Sequence, residues 1–215
     1  MTRTVRQMPW NVLSGGIRVK DTRGNPSYAA DLGELKNYLP FQVELGCPQK
    51  DTLVKEMLLD ATAKADELVA MFRISFLARP TAAHRALKAL HDAGHMVGPV
   101  FQHNFDLLAA RAGLTECFVR RYDQKIPPVP FLAEAKALLV IGLHADRRSI
   151  EKRARERGMK VFFVDTEGLE EFGQYLPYPL EGPQDGDVVV RAEAIPTLVE
   201  LCRQLGVEFP PRDSR

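Results

Sequence analysis

The chain has 215 residues, 45% of them hydrophobic and 27% charged, with a formal net charge of +1. That length suits a single α/β domain, taken here as residues 1–215, with a sizeable core, and the composition is that of an ordinary globular protein. Near-neutral charge gives no electrostatic reason to expect nucleic-acid or membrane-surface partners, and no apolar run reaches the roughly 18 residues of a membrane span.

Met1 to Met8 carries Arg3 and Arg6 but no apolar signal-peptide core after them, so a cytoplasmic location is the expectation. Cys47, Cys117 and Cys202 are far apart and form no C-x-x-C pair. Neither a disulfide framework nor a structural zinc site is expected from them.

Trp10 to Leu13 is a short strand candidate that runs into Ser14-Gly15-Gly16. Glycines there allow a tight turn whose N–H groups can cradle an anion. Residues 29–50 are poorly patterned and broken by Pro40, Gly46 and Pro48. Asp51 reads as the N-cap of a helix to about Phe72, with Val54, Met57, Leu58, Ala61, Ala65, Leu68, Val69 and Phe72 on one apolar face. A second helix runs from Ala82 to Ala93 and stops at Gly94, with Leu87 and Leu90 inward. His84 and His91 on it lack a third ligand candidate and read as structural or surface histidines.

Val97 to Phe101 reads as a buried strand that discharges into Gln102-His103-Asn104-Phe105-Asp106, and a helix from Leu107 to Ala112 follows. Polar groups at the carboxyl end of a strand are where open α/β sheets bind ligands. Cys117 to Tyr122 reads as a strand, Lys125 to Pro130 as an extended linker, and Phe131 to Lys136 as one or two helical turns. Ala137 to Gly142 is the strongest buried-strand signal and ends at Gly142-Leu143-His144. Arg147 to Arg157 reads as a charged, exposed helix. Lys160 to Val164 is a buried strand ending at Asp165, which suits either a ribose contact or a turn. Residues 173–186 read as loop, Asp187 to Val190 as a last strand, and Ile195 to Leu205 as a last helix. Alternating strands and helices from residue 97 onward predict an α/β, Rossmann-like, mostly parallel sheet with helices on both faces.

Several of these segments, in order, resemble the sirtuin family. Ser14-Gly15-Gly16-Ile17 and Gly24-Asn25-Pro26-Ser27-Tyr28 resemble its GAGIS…GIPDFR cofactor loop. Pro80 to Leu87 resembles P-x-x-x-H-x-x-L, Gln102 to Asp106 resembles TQNID, and Leu139 to His144 resembles LxxIGTS. The resemblance implies the sirtuin large domain and a site for NAD or a related nucleotide. Ser14, Gly15, Gly16 and Ile17 would then form the pyrophosphate loop, and Gly142, Leu143 and His144 a second phosphate-side position. Asp165 stands where the family has an Asn on the adenosine ribose, and Tyr28 where it has an aromatic residue near the anomeric carbon. Gln102 and Asn104 would lie by the nicotinamide ribose, and Asp106 would face the carboxamide.

The departures from the family are also specific. Its catalytic His-Gly is replaced by Arg121-Tyr122, and residues 123–136 leave no room for its four-cysteine zinc module, so no metal is expected. Ser27 and Ala29 replace the Asp and Arg of GIPDFR. These changes argue against protein deacetylation. Cleavage of an N-glycosidic bond to a pyridinium remains feasible, because the leaving group needs no proton and the transition state is oxocarbenium-like. Asn104 and Asp106 are candidates to hold the ribose and stabilise charge, and His103 and His144 to act as general base. The readings are an NAD-consuming N-glycosidase, a catalytically silent NAD or ADP-ribose binding module, and a nucleotide-processing enzyme of other specificity. The expected partner is a small-molecule nucleotide, with homo-oligomerisation left open.

Overall fold

Phe41-Gln42-Val43-Glu44-Leu45 alternates apolar and polar residues and forms the central strand of the protein, β1 (Phe41–Leu45). A computed structural model describes residues 32–46, 62, 65–104, 106–119, 129–143, 145–146, 148–166, 168–171, 174–177 and 180–208. The other strands of the main sheet are β2 (Val100–Gln102), β3 (Glu116–Phe118), β4 (Ala137–Ile141), β5 (Lys160–Asp165) and β8 (Val188–Arg191). A separate antiparallel hairpin pairs β6 (Gly168–Glu171) with β7 (Gln174–Pro177). The helices are α1 (Ala65–Leu77), α2 (Ala82–Asp92), α3 (Leu108–Arg111), α4 (Ile150–Glu156) and α5 (Ala194–Gln204), with a short 3-10 helix at Gly33–Tyr38.

Among the described residues the main sheet has six strands in the order β3-β2-β1-β4-β5-β8, and every pairing in it is parallel. From β1 the chain therefore moves outward through β2 and β3, returns beside β1 as β4, and moves outward the other way. The reversal leaves a crevice between the carboxyl ends of β1 and β4.

Strand side chains alternate between the two faces. Phe41, Val43, Leu45, Leu139, Ile141, Phe162 and Val164 share a fully buried cluster with Ala86, Leu87 and Leu90 of α2 and Leu198, Leu201 and Cys202 of α5. On the opposite face Phe101, Leu138, Val140, Val161 and Phe163 pack with Ile150 and Ala154 of α4. Burying each such Leu, Ile or Phe stabilises the fold by roughly 1.5–3 kcal/mol. The expected α/β fold, with helices on both faces of a parallel sheet, is what the chain adopts.

Five local expectations are corrected. Residues 29–50 hold β1, whose Gln42 and Glu44 broke the apolar run although both are buried. Gln42 is held inside because its Nε2 donates to Pro130 O at 3.2 Å and its Oε1 accepts from Leu132 N at 3.0 Å. The helix expected to end near Phe72 continues to Leu77, and Val69, assigned inward, is 64% exposed. The helix read as exposed between Arg147 and Arg157 buries Ile150, Glu151 and Ala154. Residues 174–177, expected as loop, are β7. The stretch Phe131 to Lys136, expected to be helical, makes only a turn, with Ala135 N donating to Leu132 O at 3.2 Å. The start of the first helix at Asp51 and the strand candidate at Trp10 lie outside the described residues.

Candidate functional site

Strand register decides which polar residues meet. Leu45 is aligned with Gln102 on one side and Ile141 on the other, and Ile141 with Val164. One residue further along each strand, His103 N donates to Leu45 O, Gly46 N to Ile141 O and Gly142 N to Val164 O. His103, Gly46, Gly142 and Asp165 thus form one row across the carboxyl edge of four adjacent strands. Three of the four were expected site residues. Gly46 was not, and its signal was a glycine directly after an alternating pentapeptide.

Gly46 and Gly142 flank the crevice where the chain reverses. A Cβ on Gly46 would lie 2.1 Å from Leu143 Cδ2, so the Leu143 side chain rests on the Gly46 backbone. Gly142 has φ 69°, a conformation that glycine adopts without a Cβ penalty. Ser14, Gly15, Gly16, Ile17, Tyr28 and His144, like Arg121 and Tyr122, lie outside the described residues.

Glu44 and His103 sit on the same face as Phe101 and Val140, toward α4, because each is two residues from a member of that face or aligned with one. Their side chains meet diagonally across β1 and β2, with His103 Nε2 2.6 Å from Glu44 Oε1. Glu44 is 1% exposed, and its Oε2 has no hydrogen-bond partner among the described residues. Burial pushes the Glu44 carboxyl up, and the hydrogen bond and charge of His103 oppose that shift.

Two further acids stand beside Glu44. Asp146 Oδ1 accepts from Ile150 N and Oδ2 from Lys152 N, both at 2.8 Å, which covers the first amides of α4 with an internal carboxylate. Glu151 is fully buried, and neither of its carboxyl oxygens finds a donor among the described residues. Burial, then the nearby charge of Glu44 and a hydrogen bond to Asp146, push Glu151 up to about 11. At neutral pH Glu151 is therefore a neutral acid, the form that can donate to Asp146.

The other expected residues are placed as follows. Gln102 is fully buried, and both ends of its amide are engaged within the edge. Its Oε1 accepts from Asn104 N at 3.0 Å, and its Nε2 donates to Glu116 Oε1 at 3.3 Å. It braces the turn that carries Asn104, itself 7% exposed. Asp106 Oδ1 accepts from Leu108 N at 3.0 Å, across Leu107 in the left-handed region at φ 55°. Burial raises the Asp106 carboxyl, and that amide opposes the shift. Asp165 is 4% exposed, and its Oδ1 accepts from Thr166 N at 2.7 Å, a turn bond within its own loop.

Away from the edge, His84 Nδ1 accepts from Thr81 N at 3.3 Å and lies 2.8 Å from Thr81 Oγ1 at the start of α2. It is a structural capping residue, as expected. Among the described residues no group of three His, Cys, Asp or Glu side chains is arranged to hold a metal ion. No helix among them is long and apolar enough to cross a membrane.

An all-parallel, doubly wound sheet with polar strand ends at its reversal point defines the class as a Rossmann-like α/β fold. Solved Sir2 structures share this fold. A Sir2 complex with the inhibitor EX-527, 2'-O-acetyl-ADP-ribose and a deacetylated p53 peptide superposes with a TM-score of 0.57 at 14% identity, covering 83% of this chain and 100% of that one. A structure from work on the mechanism and regulation of Sir2 enzymes gives 0.55 at 15% identity, covering 85% and 98%. A Sir2 complex with a p53 peptide and NAD+ gives 0.51 at 14% identity, covering 80% and 96%. At these identities the likeness establishes the fold. No protein-family profile and no curated protein sequence matches the chain.

Proposed function

We propose that this chain binds NAD or a related pyridine nucleotide along the carboxyl edge of its sheet and cleaves the N-glycosidic bond, with small-molecule rather than acyl-lysine chemistry. The observation that carries the reading is the row of His103, Gly46, Gly142 and Asp165 across the reversal point, with the Glu44 carboxylate directly behind His103. Gly142 lets a ligand approach the backbone at the β4 tip, beside the Leu143 side chain that covers Gly46. Asp165 suits a ribose diol at the β5 tip, and Asn104 and Asp106 suit the ribose and carboxamide at the β2 end. Negative groups near the reacting carbon stabilise an oxocarbenium-like transition state, and a pyridine leaves as a neutral molecule without acid assistance. Bound NAD would supply the cationic pyridinium leaving group; Asn104, Asp106 and Asp165 would orient the nucleotide.

The test is release of nicotinamide from NAD, NADP and nicotinamide mononucleotide, followed chromatographically. Turnover that falls at least about 100-fold in Asn104→Ala or Asp106→Ala is the expected result. Absence of turnover with all three nucleotides would overturn it. An acetyl-lysine peptide with NAD should remain unmodified.

A second reading, a silent NAD or ADP-ribose binding module, draws support from the replacement of the family's catalytic His-Gly by Arg121-Tyr122. Saturable binding by calorimetry without turnover distinguishes this reading from the first.

A further inference from the structure

We infer that Glu44 is the positioning residue for His103, and that the two form the carboxylate–imidazole dyad that activates water for glycosidic cleavage. The inference rests on the N-glycosidase reading above and adds to it a general base and that base's support. Its foundation is geometric. The Glu44–His103 contact is 2.6 Å, and it joins two strands whose register places His103 on the ligand-facing row and Glu44 one step below it. Glu44 is buried on the middle strand of the sheet, a position where a carboxylate needs a specific partner to be tolerated. His103 retains a side-chain exposure of 16%, so it reaches the edge while its partner does not.

With Nε2–H donating to Glu44, the tautomer of His103 leaves Nδ1 as the basic nitrogen. Nδ1 takes a proton from water as the water oxygen bonds to the anomeric carbon. The carbon–nitrogen bond to the pyridinium breaks, and its electron pair remains on the ring nitrogen, so the base leaves neutral. The Nδ1 proton of His103 then passes to solvent while Nε2–H stays on Glu44, which closes the balance as nucleotide plus water giving free base, ribosyl product and one proton. The acids packed around the pair are Asp146, before α4, and Glu151, on α4. Asp146 is engaged by two backbone amides of α4 and burial pushes Glu151 up, while Glu44 is the acid in direct contact with the His103 ring.

The experiment combines turnover with a nuclear magnetic resonance readout that does not need turnover. In the wild-type protein the His103 ring nitrogens should show the Nε2–H tautomer at neutral pH, and Glu44→Gln should mix the tautomers. In turnover, Glu44→Gln should lower kcat by about 100-fold with KM within about threefold, and should move the acid limb of the kcat–pH profile. Glu44→Asp should recover part of the loss. His103→Gln, which keeps a group able to bond Glu44, should lose about 100-fold or more in kcat and abolish that limb. A Nδ1–H tautomer in the wild type, or a Glu44→Gln profile that matches wild type, overturns the dyad and leaves the N-glycosidase reading standing. Absence of wild-type turnover overturns the N-glycosidase reading and the water step, while the tautomer still decides whether Glu44 positions His103. Should Glu44→Gln fail to fold, the wild-type tautomer and His103→Gln carry the test.

Discussion

The two faces of the central sheet are buried to the same degree by different means. Toward α2 and α5, the strands present Phe41, Val43, Leu45, Leu139, Ile141, Phe162 and Val164, an apolar layer across the middle of the sheet. Toward α4, the same strands present Phe101, Leu138, Val140 and Phe163, but also Gln42 and Glu44, and α4 answers with Glu151. The first face is stabilised chiefly by area removed from water, with the buried Gln102 amide held by Asn104 N and Glu116 at its β2 end. The second tolerates polar groups only through specific partners: Pro130 and Leu132 for Gln42, His103 for Glu44, and a retained proton for Glu151. A fold gains nothing in stability from such an arrangement that an apolar layer would not provide. The polar face is thus where function is to be sought.

Substitutions can break or sharpen this contrast. The largest effect is expected on the apolar face. Phe162 is fully buried and makes an edge-on contact with Tyr38 at 5.8 Å between ring centroids. Phe162→Ala should cost about 3–5 kcal/mol in urea denaturation.

Next comes the titratable group on the buried side of α2. Burial first, and then the charge of Arg85, hold His84 at about 4, below its ordinary 6.5. The folded state therefore resists a proton that the unfolded chain accepts. This contribution is present above pH 6.5 and is lost as pH falls from 6.5 toward 4. The loss should amount to about 3 kcal/mol. His84→Gln should flatten that acid slope in denaturation curves collected across the same range.

The polar face should show the opposite slope. Glu151 is raised from 4.5 to about 11, so its stabilising effect is full below pH 4.5 and declines as pH rises toward 11. Glu151→Gln cannot ionise in either state. It should raise stability at pH 8–9 by roughly 1–3 kcal/mol, the scale of a buried polar group lacking full compensation. Equal stability of variant and wild type at pH 9 would show that α4 accommodates the charge.

The smallest effect is at the crevice between the faces. Gly46→Ala brings a Cβ to 2.1 Å from Leu143 Cδ2 and 2.4 Å from its Cγ, so the Leu143 side chain must change rotamer. The cost should be about 1 kcal/mol, and most of it should vanish in a Leu143→Ala background, as a double-mutant cycle would show.

Much of the apolar architecture was legible in the residues. Ala137-Leu138-Leu139-Val140-Ile141 and Lys160 to Val164 are apolar runs bounded by turn residues, and they are β4 and β5 because a strand covered on both faces needs no polar side. The helix ending at Gly94 was legible from its spacing and its stop, and Gly94 indeed has φ 77°. By contrast β1 was hidden by Gln42 and Glu44. Its strict alternation is the mark of a strand with one wet face, yet both faces are dry.

The sequence by itself determined an alternating α/β chain, a parallel sheet, and a set of polar residues at strand ends, His103, Gly142 and Asp165 among them. Period-two and period-3.6 patterns are local, so they survive without knowledge of the neighbours. Only the tertiary structure decided that β1 is the central strand and that Gly46 joins the row. It also decided that Glu44, 59 residues before His103, is the side chain behind it. Register between strands far apart in the chain is set by packing and backbone pairing. No single stretch of sequence contains both halves of that contact.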